Sequence, residues 1–375
     1  MAMDSDFLAA PKRVPSLGIP PSNNAVTVRI IDSTSQLRAH APMILEPAIP
    51  GHDLLQCPAY SFLIEHPSGR KILYDLGTRK DWENLPPLVQ GLLKHHDLAI
   101  EVEKNVAEIL QENGIAVTDG EIEALIWSHW HYDHIGDPST FPGSTALVVG
   151  PGFKAAFLPG YPENKDSAIR QSDYEGRELR ELEFDASQAR IGGLQFHDYF
   201  GDGSFYILNA PGHAVGHLCA LARVTATGSQ NSDDDTFIFM GGDSCHHGGE
   251  FRPTEYLPLP KQFDPSPFPV SSLTVCPGSW LQAVHYERRA DKPFYTVKKG
   301  FSHNDEDCQS TISRVTEFDG VDNVLVVIAH DPALLQNGFP MFPASANNWK
   351  DGNFGDRLRW CFLQDFQLAV ESANK

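Results

Sequence analysis

Apolar and polar positions alternate through Val26, Val28 and Ile30, again through Tyr60, Phe62 and Ile64, and once more through Ile72 and Tyr74 before Asp75 and Gly77. A period of two broken by turn residues predicts neighbouring strands of one sheet. From Leu98 to Ile115 the period becomes helical, with Val102, Val106, Ile109 and Leu110 on one face and Asn113-Gly114 as a stop signal, so a helix is expected to cover that sheet. Five later runs, Ala124 to Trp127, Ala146 to Val149, Phe205 to Leu208, Phe237 to Met240 and Val324 to Ile328, are apolar throughout and mostly too short for helices. Such runs suit strands buried on both faces. Where they stop at His or Asp, the polar group lies at the rim of a sheet, the usual place for a site. The tail from Arg357 to Val370, with Leu358, Phe362, Phe366, Leu368 and Val370, reads as an amphipathic helix closing the fold, or as a dimer contact.

At 375 residues the chain is long enough for one large domain or two, and its 41% apolar and 21% charged residues describe a folded protein. The net charge of −20 disfavours nucleic acid and anionic membrane surfaces as partners. No stretch approaches the roughly 20 apolar residues of a membrane span, and the start lacks the pattern of a secretory signal. A cytoplasmic location is the resulting expectation. Six scattered cysteines without a Cys-x-x-Cys pair are expected to be reduced and mostly buried. Residues 1–24, rich in Pro, Ser and Asn, predict an irregular surface arm. Residues 229–235 predict a solvated acidic turn, and the Pro- and aromatic-rich stretch 250–270 a semi-rigid wall of a pocket.

The densest chemical signal is Ser128-His129-Trp130-His131-Tyr132-Asp133-His134, directly after the run Ala124 to Trp127. In an extended segment residues i and i+2 share a side, so His129 and His131 can address one ion while a turn after Tyr132 aims Asp133 and His134 at a second. Two ions held by this segment alone would be under-coordinated, which requires further ligands at other strand ends. They are present in Pro211-Gly212-His213, in Gly241-Gly242-Asp243 and in Ala329-His330-Asp331, each following an apolar run.

This order of motifs, spanning about residues 25–335, is similar to the metallo-β-lactamase superfamily. The resemblance implies an α/β (α+β) fold, a four-layer αββα sandwich in a single domain, with an enlarged insertion over 246–323 and a C-terminal helical extension over 336–375. It assigns His129, His131 and His213 to one metal, Asp133, His134 and His330 to the other, and Asp243 as the bridge. Asp75 matches an Asp near the site, either supporting a ligand or capping a turn, and His217 is expected to orient its turn. The implied cofactors are two divalent ions, zinc first, with manganese, iron or cobalt compatible with the same ligands. Two such ions acidify a shared water, and Asp133 would in addition move the proton.

Asp243 stands where true β-lactamases of the superfamily carry Cys, and the phrase Ile328-Ala-His330-Asp331-Pro-Ala-Leu looks lactonase-like. The expectation is a hydrolase that opens a lactone, a small-molecule carbonyl substrate, by attack of a metal-bridging hydroxide. A thioesterase, a cyclic amide or carbamate hydrolase, and a non-catalytic metal-binding scaffold are the alternatives. Known acyl-homoserine lactonases carry a Tyr three residues after the bridging Asp. Here that residue is His246, followed by His247, either a substrate-carbonyl ligand or an exposed turn residue, with Tyr256 or Tyr286 as substitutes. His95, His96 and His303 read as surface residues.

Overall fold

A computed structural model describes residues 6–96, 98–185, 187, 189–228, 232–268 and 274–373. The alternating segments form strands β1 (Thr27–His40), β2 (Leu54–Glu65) and β3 (Lys71–Tyr74), joined by β4 (Ala99–Glu101), β5 (Ala124–Ile126), β6 (Ala146–Val149) and β7 (Leu179–Glu181). These make a seven-stranded sheet of order β4-β1-β2-β3-β5-β6-β7, parallel from β3 to β7. A second sheet contains β8 (Phe196–Asp198), β9 (Phe205–Asn209), β10 (Leu218–Thr225), β11 (Thr236–Met240) and β12 (Val324–Val327) in the order β12-β11-β10-β9-β8. Its last pair, β11 and β12, is parallel.

The two sheets pack face to face. Val28, Phe62, Tyr74 and Ile126 meet Ile207, Ala220, Ile238 and Val327 in the central core. The opposite faces are covered too. Leu63, Leu73 and Leu125 lie under helix α2 (Val106–Glu112) through Val106 and Leu110. Leu221, Phe239 and Val326 lie under a later long helix, α4 (Asp305–Asp319), through Ile312, Val315 and Phe318. Coverage on both faces explains the unbroken apolar runs, and four layers result. Tyr74 carries one polar tie through the core, its hydroxyl donating to Leu218 O at 2.8 Å.

Three expectations are corrected. The helix expected over 98–115 is shorter: residues 99–101 pair with Gln36–Arg38 as an edge strand. The helix starts only after Asn105, whose N–H donates to the Glu108 carboxylate at 2.8 Å. Local capping and an available sheet edge overrode the periodicity. The tail is not one helix but a helix at Phe354–Arg359, a 3₁₀ segment at Cys361–Phe366 and a helix at Gln367–Ala373. It breaks because Leu358 belongs to the central core while Phe362, Leu363, Phe366 and Val370 fill a separate cluster with Phe263, Leu281 and Phe294 of the insertion. Of the acidic turn, residues 229–231 lie outside the described residues, and Asp235 is buried in an ion pair with Arg223 rather than solvated.

Over its described residues, 6–24, the N-terminal arm is irregular and lies along the Pro-rich stretch, Leu8 N–H donating to Leu259 O and Lys12 N–H to Glu255 O. Five of the six cysteines are buried and all are unpaired. Among the described residues no helix is long and apolar enough to cross a membrane. Tyr74→Phe deletes the donor to Leu218 and leaves a buried carbonyl without it, so a loss of about 1–3 kcal/mol is expected, measured as a lower denaturation midpoint at unchanged denaturant slope.

Candidate dinuclear metal centre

The ligand-bearing loops all leave one edge of the sandwich, and backbone hydrogen bonds lash them together. The Ser128 carbonyl, one residue before His129, accepts the Leu218 N–H at 2.7 Å, which fixes the His213 turn against the first motif. The Gly242 carbonyl accepts the Ala329 N–H at 3.1 Å, which brings Asp243 beside His330. Gly242 has φ +49°, and a Cβ there would come within 3.0 Å of Ser128 Cβ and 2.9 Å of His217 Nε2. Only glycine lets this turn approach so closely. Helix α3 (Tyr132–Ile135), a single turn, rotates Asp133 and His134 away from His129 and His131.

Two clusters of donor atoms result. In the first, His131 Nδ1 lies 2.8 Å from His129 Nε2 and 3.0 Å from His213 Nε2, while Asp243 Oδ2 lies 3.6 Å and 3.4 Å from those two Nε2 atoms. In the second, Asp243 Oδ1 lies 3.1 Å from both His134 Nε2 and His330 Nε2, and Asp133 Oδ2 lies 3.8 Å and 3.5 Å from them. Ligand atoms about 2.0–2.2 Å from a tetrahedral ion are separated by roughly 3.3–3.6 Å; the separations here scatter around that range, and each set offers imidazole and carboxylate donors to one divalent ion, with one carboxylate oxygen of Asp243 turned to each. His134 Nε2 and Asp243 Oδ1 are buried and, though close, hydrogen-bond to nothing among the described residues. In this second cluster, ligand atoms that converge without bonding one another are arranged for a cation between them. The seven residues are brought together in two groups, His129, His131, His213 and Asp243 in one and Asp133, His134, Asp243 and His330 in the other.

The surrounding residues hold these ligands in place. Asp75, at φ 58° just past β3, accepts the Ser128 N–H at 2.6 Å through Oδ1 and meets His134 Nδ1 at 2.9 Å through Oδ2. It thus caps the turn and orients the His134 ring at once. His330 Nδ1 donates to Pro58 O at 2.8 Å, and His129 Nδ1 meets Ser128 Oγ at 3.0 Å. His217 binds no cluster. Its Nδ1 donates to Ala210 O at 2.9 Å, and its Nε2 accepts the Asp243 backbone N–H at 3.1 Å, which orients the bridging residue.

Burial, with help from neighbouring imidazoles, holds His129 and His213 well below the ordinary histidine range. Burial also pulls His131 down to about 4, against the attraction of Asp133 and Asp243. These rings are neutral, the form that ligates. Burial opposes charge on His134 as well, but Asp243, Asp75 and Asp133 outweigh it and lift this residue well above the usual value. Burial alone would raise Asp243; His134, His330 and His246 draw it far down, so the bridging carboxylate stays ionised.

The clusters form the floor of a cavity of about 490 Å³. Its wall comes from the ends of β1 and β2, from helix α1 (Pro87–His95) and from residues 298–301, and not from the Pro-rich stretch over its described residues. Phe251, Phe263 and Phe268 are instead spent inside packed clusters, and residues 269 and 270 lie outside the described residues. His246 and His247 are both buried, so neither is an exposed turn residue. His246 reaches the floor, with Nε2 3.3 Å from Asp243 Oδ2, and the buried Glu250 carboxylate holds it by accepting its N–H at 2.6 Å. His247 points away. Its Nδ1 accepts the Gly249 N–H and its Nε2 donates to Asp365 at 3.1 Å. His52, His247 and Asp365 do cluster within 4.8 Å, yet both ring nitrogens of His247 are already used. Tyr256 and Tyr286 do not line the cavity; Tyr132, inside the His-rich motif, does. His95 and His303 are exposed, but His96 also lines it. Helical placement after Leu92 and Leu93 is the signal that would have found His96.

Residues 54–224 match the profile of the metallo-beta-lactamase superfamily. The chain is 42% identical over 361 residues to a gamma-lactamase, FDB1, of Fusarium pseudograminearum, covering 94% of this chain and 85% of the relative. It belongs to the metallo-β-lactamase superfamily. The chain is also 41% identical to the metallo-hydrolase mfmC of Annulohypoxylon moriforme, covering 96% of this chain and 92% of the relative. The superfamily fold is likewise that of the Bacillus thuringiensis AiiA mutant with N-decanoyl-L-homoserine bound, at TM-score 0.56 and 15% identity, covering 86% of this chain and 99% of that one. With full-length relatives named a gamma-lactamase and a metallo-hydrolase, this chain is a metal-dependent hydrolase of the superfamily. Asp75→Asn keeps the shape but weakens the hold on His134, and it is expected to reduce metal affinity about 10–100-fold, read by competition with a chromogenic chelator while circular dichroism stays unchanged.

Proposed function

We propose that the chain opens a cyclic carbonyl compound, a γ-lactam or the corresponding lactone, with two zinc ions held by His129, His131, His213, Asp133, His134, His330 and the shared Asp243. The carrying observation is that the two oxygens of Asp243 serve separate donor clusters at the floor of an apolar cavity. A zinc pair supplies Lewis-acid activation of carbonyl and water at neutral pH. The chain's own groups do the rest. Asp133 borders the cavity and can accept a proton and return it to the departing atom. His246 offers a ring N–H to the substrate oxygen or to the leaving group. The cavity wall excludes bulk water from the ring being opened. The free thiols fit a reducing compartment such as the cytoplasm.

The amide reading has its own support. An amide nitrogen leaves only once protonated, whereas a lactone oxygen can depart with less help, and an imidazole at 246 adds a second proton carrier to Asp133. The gamma-lactamase name of a relative 42% identical points the same way. The purified protein is expected to bind about two equivalents of zinc and to open γ-lactams and γ-lactones, with activity lost to chelator and restored by metal. Asp133→Ala is expected to lower kcat about 10²–10⁴-fold. His246→Ala is expected to cost more on the lactam than on the lactone. Full metal loading with no turnover of either ring would refute the assignment.

A further inference from the structure

The catalytic cavity is uneven in charge. Its wall is apolar, through residues such as Leu37, Ile44, Val89, Leu93 and Trp130. The carboxylates on its lining are Asp133 and Asp243, both at the floor and committed to the donor clusters. The remaining charged side chains on the lining among the described residues are Lys298 and Lys299, in a chain with 49 acidic and 29 basic residues. Lys298 reaches Glu46 at 3.7 Å, but both side chains are more than a third exposed, so solvent screens that pair. Lys299 is exposed and makes no ion pair among the described residues.

The backbone that carries the two lysines is tied to the floor. Gly300 N–H donates to Asp305 at 2.7 Å, Phe301 N–H to Lys298 O at 3.0 Å, and His303 N–H to the carbonyl of the ligand His213 at 2.9 Å. The Phe301 ring lies 5.2 Å from that of His246 and 6.0 Å from that of His213. Lys299 is two residues away, at most about 7 Å of extended chain. A molecule whose ring sits at the floor therefore reaches, past an apolar wall, a rim of positive charge.

We propose that the substrate is an amphipathic acid: the ring to be opened at the floor, an apolar body along the wall, and an anionic group, carboxylate or phosphate, at Lys298 and Lys299. This rests on the ring-opening reading. The rim would raise the local concentration of such anions, an effect that falls with ionic strength. The test compares three aryl γ-lactones with the same ring and body, bearing a neutral methyl ester, a carboxylate or a phosphate at the far end. The wild-type zinc enzyme is expected to favour the charged members about tenfold or more in kcat/KM at low salt, with the preference shrinking at high salt. Lys298→Ala/Lys299→Ala is expected to bring the ratio close to one, and Lys299→Glu alone to lower it further than Lys299→Ala. The order of carboxylate and phosphate identifies the anion. Equal kcat/KM for neutral and charged members, or a preference that survives in the double variant, overturns the proposal while leaving ring opening intact. If none of the three is opened, the lactone half of the ring-opening reading fails and the γ-lactam half stands. Calorimetric binding of the same trio, wild type against double variant, then still reads the charge preference and decides the rim on its own.

Discussion

The architecture depends on one carboxylate shared between two sets of imidazoles. Asp243 is buried, and a buried charge is tolerated only when opposite charge or directed hydrogen bonds surround it. Its surroundings come from every ligand-bearing loop: the histidines of the first motif, His213, His330 and, through the backbone, His217. Lone pairs aimed at one point repel without a cation, so the loops need the rigid sheet ends to hold them. The glycine at 242 and the interloop hydrogen bonds are the local means. The four-layer core, with polar ties such as Tyr74 to Leu218, supplies the rigidity behind them.

Much of this was legible in the chain because ligand chemistry and strand periodicity use short-range signals. His129, His131, Asp133 and His134 are neighbours in sequence, and the other three ligands each follow an apolar run that ends where a buried strand must end. The central strands were equally plain, since coverage on both faces leaves no polar position inside them. Strand β10 and helix α4 were harder. Leu218 to Thr225 begins directly after the His213 turn, with no spacer to mark it off, and α4 carries polar residues on most of its surface, with Cys308, Ile312, Val315 and Phe318 forming its buried stripe.

The cavity wall was the least legible part. Leu37, Ile44, Val89 and Phe301 are far apart in the chain, and their shared lining is a property of the assembled fold alone. The Pro-rich stretch looked like wall material because aromatics in a loop need a reason to be there. The reason is packing: the N-terminal arm and the C-terminal tail close over those rings. His246 illustrates the same limit. Its offset from Asp243 marked it, but only Glu250, four residues on, turns it towards the floor.

The supports of the metal ligands and the walls of the cavity are built from different stretches of chain. Ligands are anchored to the ends of the two sheets and to each other. The walls are lent by a short helix, by strand tips beyond the core and by the segment from Lys298 to Phe301, which meets the ligand frame through a backbone bond to His213. Substitutions in those borrowed parts can therefore reshape what is admitted while the reactive core keeps its frame.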